Sequence, residues 1–522
     1  MELLNKVSLL ALITVFSLTI STFSSAIAAE TVSGSEGDLL SVLRITLINQ
    51  PDIELGKLDI ESASGDVQTA GGRFDSTVFG NAYYEKNDSL LTDYEKTLLG
   101  YDAVKSESTG LEVGVRRMFR SGFEGEAALK SIRVDDQSGL DGYPTVSRNV
   151  LEFSLIIPLS RGGGPAVTSE ERQYQLARQS AQQRHQQIIS DAVAASANAY
   201  WNYLEAYQNL EIKKKIEQRT TDFLKNTERL IELGERPPAD STQINAQLAS
   251  KRSERIEAER GLYETKQNLG IAMGIPFTQL EALADPSDVF PILDDDSCSV
   301  LPDLEELFAQ ARKNRGDYQA ARLDEEAVGV QLEKNIDALK PRLDLKLSAN
   351  LEGVNEDNSF LDPTYDDTSG PGGMILLNGE WPVSNNSARG TLLSNQAQQR
   401  QASLRTLELE RNIRSNIAIA VMDIRRIASA TVSINQAVEL YNSAVAEEVS
   451  KLKLGLSTLT NAITIEDKRN SSQEDLIVQQ SSLAKAIVRL RNETGTLLHI
   501  DNGRGMLDME SIITLPEART GK

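Results

Sequence analysis

The sequence predicts a mainly α-helical chain with a membrane β component: long antiparallel coiled-coil helices, strands of the barrel type, and two internal repeats. Three observations predict it. Long stretches carry coiled-coil periodicity, shorter ones alternate apolar and polar residues, and the landmarks of one half recur in order in the other.

Residues 1–29 read as a secretory signal peptide, because Lys6 precedes a largely apolar run from Val7 to Ile20 and small residues lead to Ala26-Ile27-Ala28. Cleavage after Ala28 or Ala29 leaves no cysteine at the new terminus, which argues against a lipid anchor. Beyond the signal no stretch offers the ~20 apolar residues of a spanning helix. Membrane entry would therefore be by strands.

The 522 residues carry a net charge of −22, which argues against a nucleic-acid partner. Cys298 is the one cysteine, so no intrachain disulfide can form, and neither His185 nor His499 has a second ligand type nearby. The chain has no Cys/His metal pattern, nucleophile elbow or phosphate-binding glycine loop. Nothing in it points to an enzyme or a cofactor.

The first repeat, 30–276, opens a helix at Asp38-Leu39-Leu40 that runs to Asn49-Gln50-Pro51-Asp52. Strands follow over 76–158, closing on Pro158-Leu159-Ser160-Arg161-Gly162, and then a helical hairpin over 166–274 with its tip near Gly234. After a linker at 277–301, the second repeat, 302–496, opens at Pro302-Asp303-Leu304 and runs to Asn314-Arg315-Gly316-Asp317. Its strands lie within 342–383, closing on Pro382 with Ala388-Arg389-Gly390 beyond, and its hairpin covers 388–495 with a tip near Gly455. Gly234 and Gly274 are 40 residues apart, as are Gly455 and Gly495. Residues 497–522 form a C-terminal tail.

The helices are regular. Ile413, Ile417, Ala420, Ile424, Ile427, Thr431, Ile434, Val438, Tyr441 and Val445 step by four and three in turn, as in a coiled-coil seam. In the first hairpin Val193, Tyr200 and Tyr207 hold one heptad position and Ile189, Ser196, Tyr203 and Leu210 another. A soluble periplasmic coiled-coil scaffold would show the same seams, so the strands decide between the two readings. Val78, Gly80, Ala82 and Tyr84 alternate with Thr77, Asn81 and Tyr83, with Phe79 as the exception. Leu343, Leu345, Leu347, Ala349 and Leu351 alternate with Asp344, Lys346, Ser348, Asn350 and Glu352. A greasy face opposite a charged one, on a secreted chain without disulfides, suits a water-filled barrel in lipid.

In the order, duplication and spacing of Asn49-Gln50-Pro51-Asp52, Pro158-Leu159-Ser160-Arg161-Gly162-Gly163, Pro382 with Ala388-Arg389-Gly390, and the paired Gly234 and Gly455, the chain resembles the TolC-like outer-membrane factors over nearly its whole mature length. The resemblance implies a homotrimer with one shared β-barrel among outer-membrane lipid and a tapering helical tunnel across the periplasm. It implies an export duct for multidrug or metal efflux or type I secretion, working with a periplasmic adaptor and an inner-membrane transporter. It places adaptor-docking tips at Leu233-Gly234-Glu235 and Leu454-Gly455-Leu456. At the pore entrance, where the family has carboxylates after the second tip, this chain has Asn461 and Thr464 with Glu466 and Asp467 following, and Asp240 at the comparable site of the first repeat. Net acidity leads us to expect a cation-preferring pore.

Too few strands per chain exist to close a barrel, which independently favours a trimer. The first repeat has four strand-like stretches, Thr77 to Glu85, Leu111 to Phe119, Phe123 to Ile132 and Leu151 to Ile157, where the family usually has two. With two more in the second repeat, the expectation is six strands per chain and an eighteen-stranded wall. The competing layout leaves Leu111 to Ile132 as a hairpin outside the wall.

Overall fold

The computed structural model describes residues 37–100, 102–136, 145–292, 301–355, 369–501, 504–506 and 512–516. The expected signal peptide, Cys298, and residues 356–368 between the two strands of the second repeat lie outside the described residues. Among those described, no helix is long and apolar enough to cross a membrane.

Helix α1 (Leu39–Asn49) meets α2 (Pro51–Gly71) at Gln50, where Pro51 takes the first helical position that needs no N–H donor. Strand β1 (Thr77–Leu90) rises to a short helix α3 (Asp93–Leu99), and β2 (Ala103–Met118), β3 (Glu124–Asp136) and β4 (Val146–Pro158) follow. A 68-residue helix α4 (Pro165–Glu232) and α5 (Ala239–Met273) make the first long hairpin, followed by one helical turn α6 (Phe277–Leu280). The second half runs α7 (Leu304–Asn314), α8 (Gly316–Asp337), β5 (Arg342–Asn355), β6 (Ser369–Glu380), a 68-residue α9 (Asn386–Lys453) and α10 (Leu459–Thr494). Two three-residue strands, β7 (His499–Asp501) and β8 (Arg504–Met506), pair beyond α10. At ~1.5 Å per residue, α4 and α9 each span about 100 Å.

The six long strands form one antiparallel meander in the order β1-β2-β3-β4-β5-β6. The stretch from Leu111 to Ile132 is therefore inside the sheet, paired on both flanks, and is not a hairpin apart from it. Between the expected strand stretches Thr77 to Glu85 and Leu111 to Phe119, the residues from Asn87 to Ser108 are mostly strand as well, because β1 and β2 stay paired up to Leu90 and Ala103. Helix α3 sits between them, held by a capping box in which the Thr92 hydroxyl and the Glu95 carboxylate satisfy each other's backbone N–H.

The helical core has two clusters. One gathers Leu39, Leu43, Val193, Tyr200, Trp201, Tyr203, Leu269, Met273 and Val488; the other gathers Leu307, Phe308, Ile413, Ile417, Ile424, Ile487 and Leu490. The seam of α9 is buried from Ile413 to Thr431 and half-buried from Ile434 onward.

The linker and the C-terminal tail both contribute to this core. The linker carries Leu280, Leu283 and Phe290 into the first cluster, Phe290 stacking on Trp201 at 5.7 Å. The Tyr200 hydroxyl donates to Asp288 Oδ2 at 2.6 Å, with the Gly37 carbonyl 2.9 Å away, and Asp288 also accepts from the Leu39 N–H. Burial raises the Tyr200 pKa far above a free phenol's and that of Tyr203 to about 12, so both remain neutral. In the tail, Ile512 is fully buried, and Arg491 donates to the Thr514 and Leu515 carbonyls.

Candidate functional site: hairpin tips and a two-faced sheet

The two tips share one backbone solution. After α4, Gly234 adopts φ +75°, Glu235 N–H reaches back to Leu230 O at 2.9 Å, and Gly234 N–H bonds Ile231 O. After α9, Gly455 adopts φ +74°, Leu456 N–H reaches Lys451 O at 2.9 Å, and Gly455 N–H bonds Leu452 O. This double bond is the Schellman termination, which needs a left-handed residue and so selects glycine. No heavy atom lies within 4 Å of where a side chain would emerge from either glycine. Leu233, Leu454 and Leu456 are exposed, at 66%, 73% and 75%. Glu235 is exposed beside them.

Arg236 bridges the two tips. Its Nη2 donates to the Leu452 carbonyl at 3.1 Å, and its Nη1 pairs with Asp240 at 3.5 Å. Arg236 was not singled out from the sequence. Its spacing of four from Asp240 was the available signal.

The residues expected at an entrance divide between the two hairpins. Asp240 occupies the first turn of α5 and already has Arg236 as partner. Asn461 is exposed, its N–H capped by the Thr458 hydroxyl, and the exposed Thr464 hydroxyl is turned back to the Thr460 carbonyl. Glu466 pairs with Arg469 at 2.9 Å and Arg219 at 3.5 Å, and Asp467 with Lys251 at 3.1 Å.

Above the tips an ionic stitch binds the first hairpin to α10. Lys213 of α4 reaches Glu254 of α5 and Glu474 of α10, while Lys251 of α5 reaches Glu254 and Asp467. Burial alone would raise the Glu254 pKa, but the two ammonium groups outweigh it and the net shift is downward. For Lys251 burial pulls downward and the Asp467 and Glu254 carboxylates outweigh it, so its net shift is upward.

The sheet has two chemically distinct faces. Val78, Val115, Ala127, Phe153 and Ala349 lie across from one another on one face, and Gly80, Val113, Leu129, Leu151 and Leu351 make the next row. Ile375 and Leu377 extend that face and are 78% and 61% exposed. The opposite face carries Glu112, Lys130 and Glu152, with Lys130 Nζ 2.8 Å from Glu152 and 3.6 Å from Glu112, and the Arg148 to Glu352 pair. Phe79, the apparent exception, lies on this face across Gly114 with the Arg116 guanidinium 5.7 Å from its ring, and Tyr83 covers Gly110 in the same way. The missing side chains make room for the rings.

The short β2–β3 turn and the long helices lie at the same end of the sheet. Arg120 in that turn grips Glu171 of α4 with bonds of 2.7 and 2.9 Å and lies over Phe74, and its hydrogen bonds hold the Glu171 carboxyl below its usual pKa.

Long paired hairpins hung from an antiparallel sheet, greasy on one face and charged on the other, define the TolC-like outer-membrane factor fold. Among solved structures the chain is similar to the outer-membrane channel OprN, with 16% identity over 88% of this chain and 90% of that one and a TM-score of 0.64. It is also similar to the CmeC outer membrane channel of Campylobacter jejuni (13% identity, 88% and 85% covered, TM-score 0.63) and the outer membrane protein VceC of Vibrio cholerae (16%, 88% and 96%, 0.62). No family model and no curated protein matches the sequence.

Proposed function

We propose that this chain is one subunit of a trimeric outer-membrane export duct, and that its two halves are tandem repeats giving the trimer six similar hairpins. The observation that carries the reading is the two-faced sheet, apolar across one surface, charged across the other and, among the described residues, unpaired at both edges. Only a closed barrel in lipid satisfies all three features, since hydrocarbon covers the greasy face, water the charged one, and neighbouring copies the edges. Six strands from each of three copies give eighteen. The signal peptide at 1–29 directs export, the helices stand in the periplasm, and the likeness to outer-membrane channels favours a conducting duct as the task.

In this reading the tips at Leu233-Gly234-Glu235 and Leu454-Gly455-Leu456 dock a periplasmic adaptor that links the duct to an inner-membrane transporter. Exposed leucines flanking a rigid glycine turn suit such a contact. Gly234→Trp and Gly455→Trp place a bulky ring in open space, so the trimer should still form while export falls to background. Full export by both variants, or recovery of the protein as a soluble periplasmic monomer, would overturn the proposal. Net acidity further favours a cation-preferring pore with its entrance at Asp240, Asn461, Thr464 and Glu466. Reversal potentials in planar bilayers test this, and an anion preference would refute it.

A further inference from the structure

The strand registers hold information about how copies meet, beyond the statement that they do. Following paired residues across the sheet from Thr77, the lower end of β1, leads through Arg116, Glu126, Ser154 and Ser348 to Met374. Met374 lies six residues above the lower end of β6 at Glu380 (374 against 380). The strand bases therefore descend as the sheet is crossed, from β1 to β2 and from β3 through β5.

Resting on the trimeric-duct reading, we infer that β6 of one copy pairs antiparallel with β1 of the next in a single register, Thr77 opposite Glu380 and Asp88 opposite Ser369. Four observations converge on it. The first is hydrogen-bonding direction. Leu159 N–H bonds Leu343 O and Phe119 N–H bonds Phe123 O. Alternation from these bonds turns the even residues of β1 and the odd residues of β6 toward the open edges. The second is face: Val78, Gly80 and Ala82 on β1 and Ile375 and Leu377 on β6 share the apolar surface. Both conditions set even β1 residues opposite odd β6 residues, as Ala82 opposite Ile375.

The third is length, because in this register all twelve residues of β6 face β1 with both lower ends flush. The fourth is tilt. Six residues of ~3.4 Å over six spacings of ~4.8 Å incline the strands by about 35°, which lies in the ~35–45° range of membrane barrels.

The neighbouring registers do worse. A slip of two residues one way lowers the tilt to about 25°, below that range. The opposite slip sets Gly80 against Gly379. Within the sheet no glycine faces a glycine, and Gly110, Gly114 and Gly372 are covered by Tyr83, Phe79 and Asn350. The inferred register keeps this rule, with Tyr84 opposite Gly373, Gly80 opposite Leu377 and Val78 opposite Gly379. Pro371, which lacks an N–H, then falls at the seam opposite Lys86, near its outer end, where water can reach the spare carbonyl.

Cysteine pairs test the register. Asn81 and Leu376 face each other at a narrow, non-hydrogen-bonded position of the seam, where a disulfide fits. Within one copy they stand on opposite edges of the sheet, so any bond between them joins two copies. In a Cys298→Ser background, Asn81→Cys with Leu376→Cys should give covalent dimers and trimers on oxidation of outer-membrane fractions. Asn81→Cys with Met374→Cys, or with Asn378→Cys, should give at least tenfold less. Stronger cross-linking by either slipped pair overturns the register. Trimers in the outer membrane with no cross-link from any pair overturn the seam while leaving the duct reading intact. A soluble monomer removes that reading, and the seam with it.

Discussion

Arg236, at the first hairpin tip, donates to the backbone carbonyl of Leu452 at the second, 3.1 Å away and 216 positions along the chain. One side chain thus bridges the two turns proposed to meet a partner. Arg236→Ala removes a charge-assisted hydrogen bond worth about 1.5–3 kcal/mol together with the partner of Asp240. Amide exchange at Gly234 and Gly455 should quicken by about tenfold with the sheet unaffected. Exchange unchanged at both tips would show that Arg236 does not hold them.

The ionic stitch has a definite pH window. The Glu254 pKa is depressed in the folded chain, so its stabilisation is present above the unfolded carboxylate value of about 4.3 and is lost as pH falls through the lower folded value. The Lys251 pKa is raised, so its stabilisation is present below the unfolded value of about 10.4 and is lost as pH rises through the higher folded value. Protease sensitivity of the hairpins should therefore stay flat between about pH 5 and 9 and rise only outside that window. A transition centred near neutrality would contradict this assignment. Lys251→Met should raise sensitivity even at pH 7.

Glycines of equal backbone angle should differ in their tolerance. At Gly455 a methyl group meets open space, so Gly455→Ala costs only the left-handed strain of about 1–2 kcal/mol. Gly495, at φ +66°, would set its Cβ 2.8 Å from the Asn314 carbonyl carbon, and Gly274, at φ +70°, would set its own 2.6 Å from the Asn49 carbonyl oxygen. Backbone cannot swing aside there as a side chain can. Gly495→Ala and Gly274→Ala should each cost about 3 kcal/mol or more, visible as a larger fall in Tm. Equal Tm values for Gly455→Ala and Gly495→Ala would refute the distinction.

Tyr200→Phe tests whether the linker is part of the core. The variant keeps the ring against Trp201 but leaves Asp288 without its hydroxyl donor. A loss of about 1–3 kcal/mol is expected, with proteolysis appearing first near residues 281–292. No change in either would mean that the linker is held by Leu283 and Phe290 alone.

The sequence by itself determined what local periodicity encodes. The α9 seam follows from apolar side chains every three or four residues, and the two-faced strands from alternation at every second. The tip turns follow from glycine's freedom at positive φ, so Gly234 and Gly455 were legible without coordinates. Only tertiary structure decided what depends on residues distant in the chain. Loop composition around Asn87 to Ser108 concealed the outer halves of β1 and β2, because polar residues pair as well as apolar ones once the register is set. The linker was legible only as a connection because Leu283 and Phe290 are sparse in it, and their burial depends on a cluster gathered from several helices distant in the chain. The partners of Arg236, Lys213 and Glu466 lie on other helices, and a charged residue in sequence carries no mark of which opposite charge the fold will bring to it. Periodicity says which face of an element is buried, whereas distances between faces belong to the packed chain alone.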